Sequence, residues 1–93
     1  MMTSDSTDQA SIVMFTTTWC GACRLAKRVF ASVHMPFVEV NVEEDEQAAA
    51  FVLRLNRGLL SVPTIPFPDG SWLVEPAAPT LEAKLRAVSG YAS

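Results

Sequence analysis

The spacing of apolar and polar positions changes several times along the chain, and each change marks a predicted element. The segment Ile12–Thr16 is β-branched and aromatic with almost no polar interruption, which predicts a central strand covered on both faces. Residues 22–33 carry apolar side chains at three- and four-residue intervals, the spacing of one buried helical stripe. Residues 37–42 alternate like a second strand, and residues 47–56 return to the helical spacing.

Turn residues dominate the next part of the chain and predict a hairpin. Residues 59–65 lead into a third strand, which Pro66 should make short or irregular because proline cannot donate a ladder hydrogen bond. Asp69 and Gly70 form a strong hairpin turn signal, and residues 71–74 provide the return strand. The predicted strand pair is therefore antiparallel.

A last helical pattern begins at Pro79 and Thr80, and Gly90 is the predicted stop. The element order is then strand, helix, strand, helix, strand, strand, helix. Because a helix joins the first two strands, they should run parallel. The predicted fold is a single α/β domain, residues 11–93, with a four-stranded mixed sheet flanked by three helices, preceded by a flexible tail over residues 1–10.

Composition limits the classes of function. The chain has 93 residues, 49% of them hydrophobic and 18% charged, with a net charge of −3. It can bury one core, and it lacks the basic clustering expected of a nucleic-acid or anionic-membrane partner. No segment resembles a signal peptide, and no apolar run reaches the roughly 18 residues of a membrane span. We therefore expect a cytoplasmic monomer.

The candidate chemistry lies in Cys20-Gly21-Ala22-Cys23, where the first strand gives way to the first helix. The first amides of a helix have no intrahelical partner, and the helix dipole places partial positive charge there, so a thiolate is favoured over a thiol. In such a motif the pKa of the first cysteine falls from about 8.5 into the range of roughly 3.5 to 7.5. Cys20 is the predicted nucleophile, and Cys23 can close a disulfide onto it.

Two other interpretations of the cysteine pair are weaker. A disulfide across so short a loop removes little unfolded-state entropy, so it would be a poor structural staple. A zinc site needs four ligands, and the chain offers only Cys20, Cys23 and His34 as soft candidates. We expect His34 to cap the far end of the first helix instead. The pair therefore indicates a redox dithiol, with no metal site.

The charged residues near the pair have ordinary interpretations. Arg24, Lys27 and Arg28 lie on the polar side of the first helix and should form a solvated face, although Arg24 could help to keep Cys20 ionised. The acidic run 43–46 precedes the second helix, where the helix dipole favours negative charge.

Three motifs together resemble the glutaredoxin-like branch of the thioredoxin superfamily, and most closely the mycoredoxins. They are Thr16-Thr17-Thr18-Trp19-Cys20-Gly21-Ala22-Cys23, Val62-Pro63-Thr64 and Asp69-Gly70-Ser71. The resemblance implies a thioredoxin-like fold in which the Pro63 peptide bond is cis and lies beside the sulfurs, while the Val62 backbone pairs with the substrate. Thr64 belongs to the same predicted substrate-binding segment.

The resemblance also implies an activity. Cys20 would attack the mixed disulfide between a protein and a low-molecular-weight thiol, and Cys23 or a second small thiol would resolve the product. Mycothiol, bacillithiol or glutathione would be the co-substrate, with no tightly bound cofactor, and a thioredoxin or mycothione-type reductase is a further candidate partner. The alternatives are a small redoxin that reduces protein disulfides directly and a carrier of iron–sulfur clusters.

Each of three apolar residues near these motifs has two possible interpretations. Trp19 could border a substrate groove or pack against the domain. Leu59 and Leu60 should pack inward, but if they are exposed they favour a protein surface as substrate.

Overall fold

The computed structural model describes residues 12–92, so the predicted tail over residues 1–10 lies outside the described residues. Four strands and three helices follow in the predicted order. Their bounds are Ile12–Thr16 for β1, Gly21–Ser32 for α1, Phe37–Asn41 for β2, Glu46–Leu55 for α2, Thr64–Pro66 for β3, Trp72–Val74 for β4 and Ala78–Ala92 for α3.

The strands form one mixed sheet in the order β2-β1-β3-β4. β1 and β2 are parallel over five residues, from the pair Ile12 and Phe37 to the pair Thr16 and Asn41. β3 runs antiparallel both to β1 and to β4. The predicted mixed four-stranded topology is confirmed, and β1 occupies a central place in it.

Side chains that alternate along β1 enter two separate cores. Ile12 and Met14 pack with residues of α1 and α3, including Phe30 and Leu85. Phe15 instead joins the second core, whose other members come from the β2–α2 connection and from α2. Because successive side chains of a strand point to opposite faces, α1 and α3 cover one face of the sheet and α2 covers the other. The prediction that β1 is covered on both faces is confirmed.

The end of α1 is closed by backbone hydrogen bonds rather than by a glycine. His34 has a positive φ of 57°. Its amide donates to the Ala31 carbonyl at 3.1 Å, and the Met35 amide donates to the Phe30 carbonyl at 3.0 Å. This is the Schellman pattern of helix termination. His34 thus caps α1 through its backbone, at the end of the helix opposite to the cysteines.

The third strand is short, as Pro66 predicted: β3 begins at Thr64 after a loop, and Pro66 is its last residue. One sequence-based boundary is wrong. α3 continues through Gly90 to Ala92, so that glycine does not end it. A single glycine costs a helix only about 1 kcal/mol, which neighbouring turns can offset. Among the helices of residues 12–92, none has the length and apolar character that crossing a membrane requires.

The β3–β4 turn is tied to α3 through Asp69. One carboxylate oxygen accepts hydrogen bonds from the Ser71 amide at 2.9 Å and hydroxyl at 2.6 Å, and the other accepts from the Lys84 ammonium at 2.7 Å. The Lys84 hydrogen bond, followed by those from Ser71, holds the pKa of Asp69 well below its usual range. Gly70 follows with a φ of 90°, a conformation that suits glycine. The predicted hairpin turn is confirmed.

Candidate active site

Cys20 is the N-cap residue of α1. Its backbone is extended, with φ −149° and ψ 104°, and its sulfur accepts a hydrogen bond from the Cys23 amide at 3.0 Å. A serine, threonine or aspartate oxygen more often occupies this position. The sulfur thus satisfies one of the helix amides that would otherwise lack a partner.

The two sulfurs of the motif are joined as a disulfide and differ in exposure. Cys23 lies inside the first turn of α1 and is only 2% exposed. Cys20 is partly exposed at the surface. Cys20 is therefore the more accessible of the two cysteines.

The fold brings a distant loop against this sulfur. Cys20 Sγ lies 3.8 Å from the carbonyl oxygen of Val62, which is 42 positions away in the sequence. The Val62–Pro63 peptide bond is cis, and Pro63 is fully buried. The Pro63 carbonyl accepts a hydrogen bond from the Glu75 amide at 2.9 Å, which fixes the far side of the loop. The two motifs singled out in the sequence thus form one site.

Residues 12–70 match the family model of glutaredoxin, a segment that begins with β1 and includes both the cysteine motif and the Val62–Pro63 loop. The chain belongs to the glutaredoxin family. As a glutaredoxin it is a thiol-disulfide oxidoreductase, in agreement with the dithiol interpretation.

Named relatives agree with this assignment along most of the chain. A Mycobacterium tuberculosis protein provisionally named a glutaredoxin is 38% identical over 81 residues, 87% of this chain and 96% of its own. Mycoredoxin 1 of Corynebacterium glutamicum is 28% identical over 80 residues, 86% of this chain and 99% of its own. A structural-genomics target protein from X. campestris has a similar fold, with a TM-score of 0.62 and 28% identity over 83% of this chain and 97% of that one.

The surroundings of Cys20 in this glutaredoxin favour a charged sulfur once the disulfide is reduced. The Cys23 amide donates to the sulfur, and a hydrogen bond to the charged form of a group stabilises that form. The helix dipole acts in the same direction. The first turn of α1 contains no acidic residue that would oppose it. The geometry thus accounts for a reactive Cys20 through its backbone, without a contact from a basic side chain.

In this glutaredoxin the side chain of Thr64 lies inside the protein, beneath the loop that carries Val62. Its side chain is fully buried and therefore offers no hydroxyl at the surface. Its hydroxyl donates to the Ser61 carbonyl at 2.6 Å and accepts from the Asn56 amide group at 3.0 Å. Thr64 and Asn56 therefore fix the loop that presents Val62 to Cys20.

A polar network that sequence reasoning missed holds the loop before Cys20. The Thr18 amide donates to a Glu43 carboxylate oxygen at 3.0 Å, and the Asn41 side chain donates to the Thr18 hydroxyl at 3.0 Å. The Glu43 amide in turn donates to the Asn41 side-chain oxygen at 2.8 Å. The acidic run was expected only to favour the start of a helix. Asp45 does cap α2, but Glu43 supports the active-site loop.

The Glu43 contact leads to a prediction about pH. The hydrogen bond from the Thr18 backbone, followed by that from its side chain, holds the pKa of Glu43 below its ordinary value of 4.5. Glu43 therefore makes its full contribution to the free energy of unfolding above its unfolded-state pKa. This contribution is lost as the pH falls through the lower folded-state pKa. In an NMR titration the chemical shifts of the Glu43 side chain and the Thr18 amide should change together, with a midpoint below pH 4.5.

Glu43→Gln is the control for that titration, because it keeps an oxygen acceptor and removes the charge. In this variant the Thr18 amide signal should lose its acidic transition. A Thr18 amide that responds identically in both proteins would contradict the contact.

The three basic residues of α1 differ in their contacts, and one of them does not simply face solvent. Arg24 and Arg28 are exposed, as predicted, but Lys27 forms an ion pair with Glu39 of β2 at 2.9 Å. Glu39 also accepts a hydrogen bond from the Thr16 hydroxyl at 2.8 Å. The Lys27 contact, with Thr16 contributing, lowers the pKa of Glu39. These contacts connect the middle of α1 to the end of β1, just before the active-site loop.

The apolar residues around the site face solvent. Trp19 is 87% exposed, which excludes the interpretation that it packs against the domain. Leu59 and Leu60 are 65% and 46% exposed, so the prediction that they pack inward is wrong. Both residues lie in the loop between α2 and β3, outside any helix or strand. Within residues 12–92, no group of three or more His, Cys, Asp and Glu side chains is arranged to hold a metal ion.

Proposed function

We propose that this glutaredoxin reduces mixed disulfides between proteins and a low-molecular-weight thiol, with Cys20 as nucleophile and Cys23 as resolving residue. The observation that carries the proposal is that the two cysteines differ in exposure and in hydrogen bonding. Cys20 is partly exposed and its sulfur accepts the hydrogen bond of a helix N-terminus, while Cys23 is buried in the first turn of that helix. One sulfur is thus suited to attack and the other to a later intramolecular step.

The reaction begins with the Cys20 thiolate. It attacks the small-thiol sulfur of the mixed disulfide, forms a new S–S bond to it and expels the protein sulfur as a thiolate, which takes a proton from water. The protein substrate is reduced by two electrons, and Cys20 now carries the small thiol.

Either of two thiols then removes the small thiol from Cys20. A second small thiol attacks the group on Cys20 and leaves as the symmetric small disulfide, while Cys20 returns as a thiolate. Alternatively Cys23 attacks Cys20, releases the small thiol and produces the Cys20–Cys23 disulfide seen in the structure. A reductase of the thioredoxin or mycothione type would then supply the two electrons that complete the cycle.

The favoured co-substrate is mycothiol. The support is similarity to mycoredoxin 1, which spans 86% of this chain. Bacillithiol and glutathione are the competing small thiols, and an assay of one protein substrate carrying each thiol in turn ranks them. The dithiol chemistry is suited to the reducing cytoplasm, where we place the protein.

Cys23→Ser is the experiment that tests the proposal. The variant should still remove a small thiol from a protein in the presence of that thiol, because Cys20 alone forms and releases the mixed disulfide. It should lose the reduction of disulfides within a protein, which requires a second enzyme sulfur. Mass spectrometry of each protein substrate measures both reactions. It detects loss of the small thiol in the first reaction and reduction of the internal disulfide in the second.

The second candidate function is direct electron transfer to protein disulfides. Exposure of Leu59 and Leu60 favours it, because an apolar surface suits a protein substrate. Loss of both reactions in the Cys23→Ser variant, with the variant folded, would support this relay and contradict the mixed-disulfide proposal.

A further inference from the structure

Residues 17–20, which join β1 to α1, lie outside any helix or strand and yet must place Cys20 at the helix terminus. On the helix side, the Arg24 amide donates to the Cys20 carbonyl at 3.2 Å. On the strand side, Trp19 is 87% exposed, so its side chain packs too little to hold the loop. The next residue back, Thr18, is the one held by side chains of another element.

Those side chains belong to Asn41 and Glu43, which we call the loop clamp. The Glu43 carboxylate accepts a hydrogen bond from the Thr18 amide at 3.0 Å, and the Asn41 side chain donates to the Thr18 hydroxyl at 3.0 Å. Val42, between them, is buried, and its amide donates to the Thr16 carbonyl at 2.9 Å. The clamp thus ties the loop to a fixed part of the sheet, two residues before Cys20.

Reduction of the disulfide makes this tie important. In the oxidised protein the bond between Cys20 and Cys23 keeps the sulfur of Cys20 at the helix. In the reduced protein the sulfur stays at the Cys23 amide only while the Cys20 backbone keeps its extended N-cap conformation, with φ −149° and ψ 104°. Because a hydrogen bond to the charged form of a group stabilises that form, movement of the sulfur away from this amide would raise the pKa of Cys20.

We propose that Glu43 is a positioning residue, which acts through the Thr18 backbone to keep the reduced Cys20 sulfur at the N-terminus of α1. The negative charge of Glu43 by itself would do the opposite, because a carboxylate near a thiolate disfavours the charged sulfur. Positioning and charge therefore predict changes of opposite sign in the pKa of Cys20. The inference concerns the nucleophile itself and is independent of which disulfide the nucleophile attacks.

Charged side chains on three neighbouring elements form the electrostatic background of Cys20. Lys27 of α1 pairs with Glu39 of β2 at 2.9 Å, and Asp45 accepts the Ala48 amide at 3.0 Å where α2 begins. Arg24 is exposed in the first turn of α1. None of these residues is changed in the variants below, so a shift in the pKa of Cys20 reports on the substituted residue.

The test measures the pH dependence of Cys20 alkylation by iodoacetamide in a Cys23→Ser parent, where Cys20 is the one remaining thiol. Glu43→Ala removes both the acceptor and the charge. The pKa of Cys20 should rise by about half a unit, the size expected when an N-cap contact is weakened. Glu43→Gln keeps an oxygen acceptor for the Thr18 amide, and its pKa should stay at the parent value or just below it.

Glu44→Ala is the matched control. Glu44 is as fully charged as Glu43 and is also exposed, but within residues 12–92 its side chain forms no hydrogen bond to the loop before Cys20. This variant should leave the pKa of Cys20 at the parent value or just below it. Equal melting temperatures of the variants and the parent would show that the folds are the same.

Thr18→Val provides a second test that keeps Glu43 in place. It removes the hydroxyl that Asn41 contacts and retains the Thr18 backbone amide, so the pKa of Cys20 should rise by less than in Glu43→Ala. If Glu43→Ala does not fold, an unchanged pKa in Thr18→Val overturns the inference.

Three other results would also overturn it. An unchanged pKa in folded Glu43→Ala would show that the clamp does not position the sulfur. A lower pKa in Glu43→Ala would show that Glu43 acts through its charge alone, and an equal rise in Glu44→Ala would assign the effect to the acidic run as a whole. Alkylation requires no disulfide substrate, so the proposed function is judged separately by the activity of Cys23→Ser.

Discussion

Cys20→Ser is expected to lower kcat/KM for every disulfide substrate by at least about 10³-fold. The hydroxyl of serine is not ionised at neutral pH, and it would form no exchangeable bond with a substrate sulfur. The loss should be the same for small and protein substrates, because both react at this sulfur. A coupled assay with each substrate measures the effect.

The change should leave the fold intact, since serine is itself a preferred N-cap residue and its oxygen can accept the Cys23 amide. Comparison with Cys23→Ser isolates the chemistry, because both variants lose the disulfide and each keeps one thiol. If Cys20→Ser retained activity on a mixed disulfide while Cys23→Ser lost it, the assigned roles would be reversed.

Leu85→Ala is expected to lower the free energy of unfolding by about 2–5 kcal/mol. Leu85 is fully buried on α3, in the core that α3 shares with α1 and one face of the sheet. The substitution removes apolar contacts and leaves a cavity that the neighbouring side chains fill only in part. Because domains of this size are stable by only about 5–15 kcal/mol, urea denaturation should show the loss clearly.

Leu53→Ala is the matched control, since it makes the same substitution within a helix at a position that is 37% exposed. Its effect should be about 0.5 kcal/mol or less, because alanine forms helices at least as well as leucine and little burial is lost. Equal destabilisation by the two changes would contradict the packing of α3 against the sheet.

Apolar spacing predicted the helices and strands, because their buried faces have different periods. The Asp69-Gly70 turn and the helix between the first two strands then predicted the mixed sheet. The cysteine motif could be placed at the start of α1 for a similar reason, since an apolar strand ends just before it. Element ends were less predictable. At Gly90 the packing of α3 overrides the weak helix-breaking tendency of a single glycine.

The resemblance of the motifs placed the Pro63 loop beside the sulfurs, but other long-range contacts of the site were beyond sequence reasoning. Glu43 lies in an acidic run whose local role at a helix start is ordinary, and nothing near it indicates a bond to Thr18, 25 positions away. Thr64 belongs to a recognisable motif, but its burial depends on a partner side chain from Asn56. Leu59 and Leu60 are apolar, and only the path of the loop decides that they face solvent.

The central claim is that the N-terminus of α1 keeps the sulfur of Cys20 ionised at neutral pH. The most direct measurement is the pH dependence of Cys20 alkylation in the reduced Cys23→Ser variant, where Cys20 is the one remaining thiol. We predict a pKa of about 7 or lower, well below the ordinary value of about 8.5. A pKa above about 7 would leave the thiol mostly protonated at neutral pH and would contradict the claim.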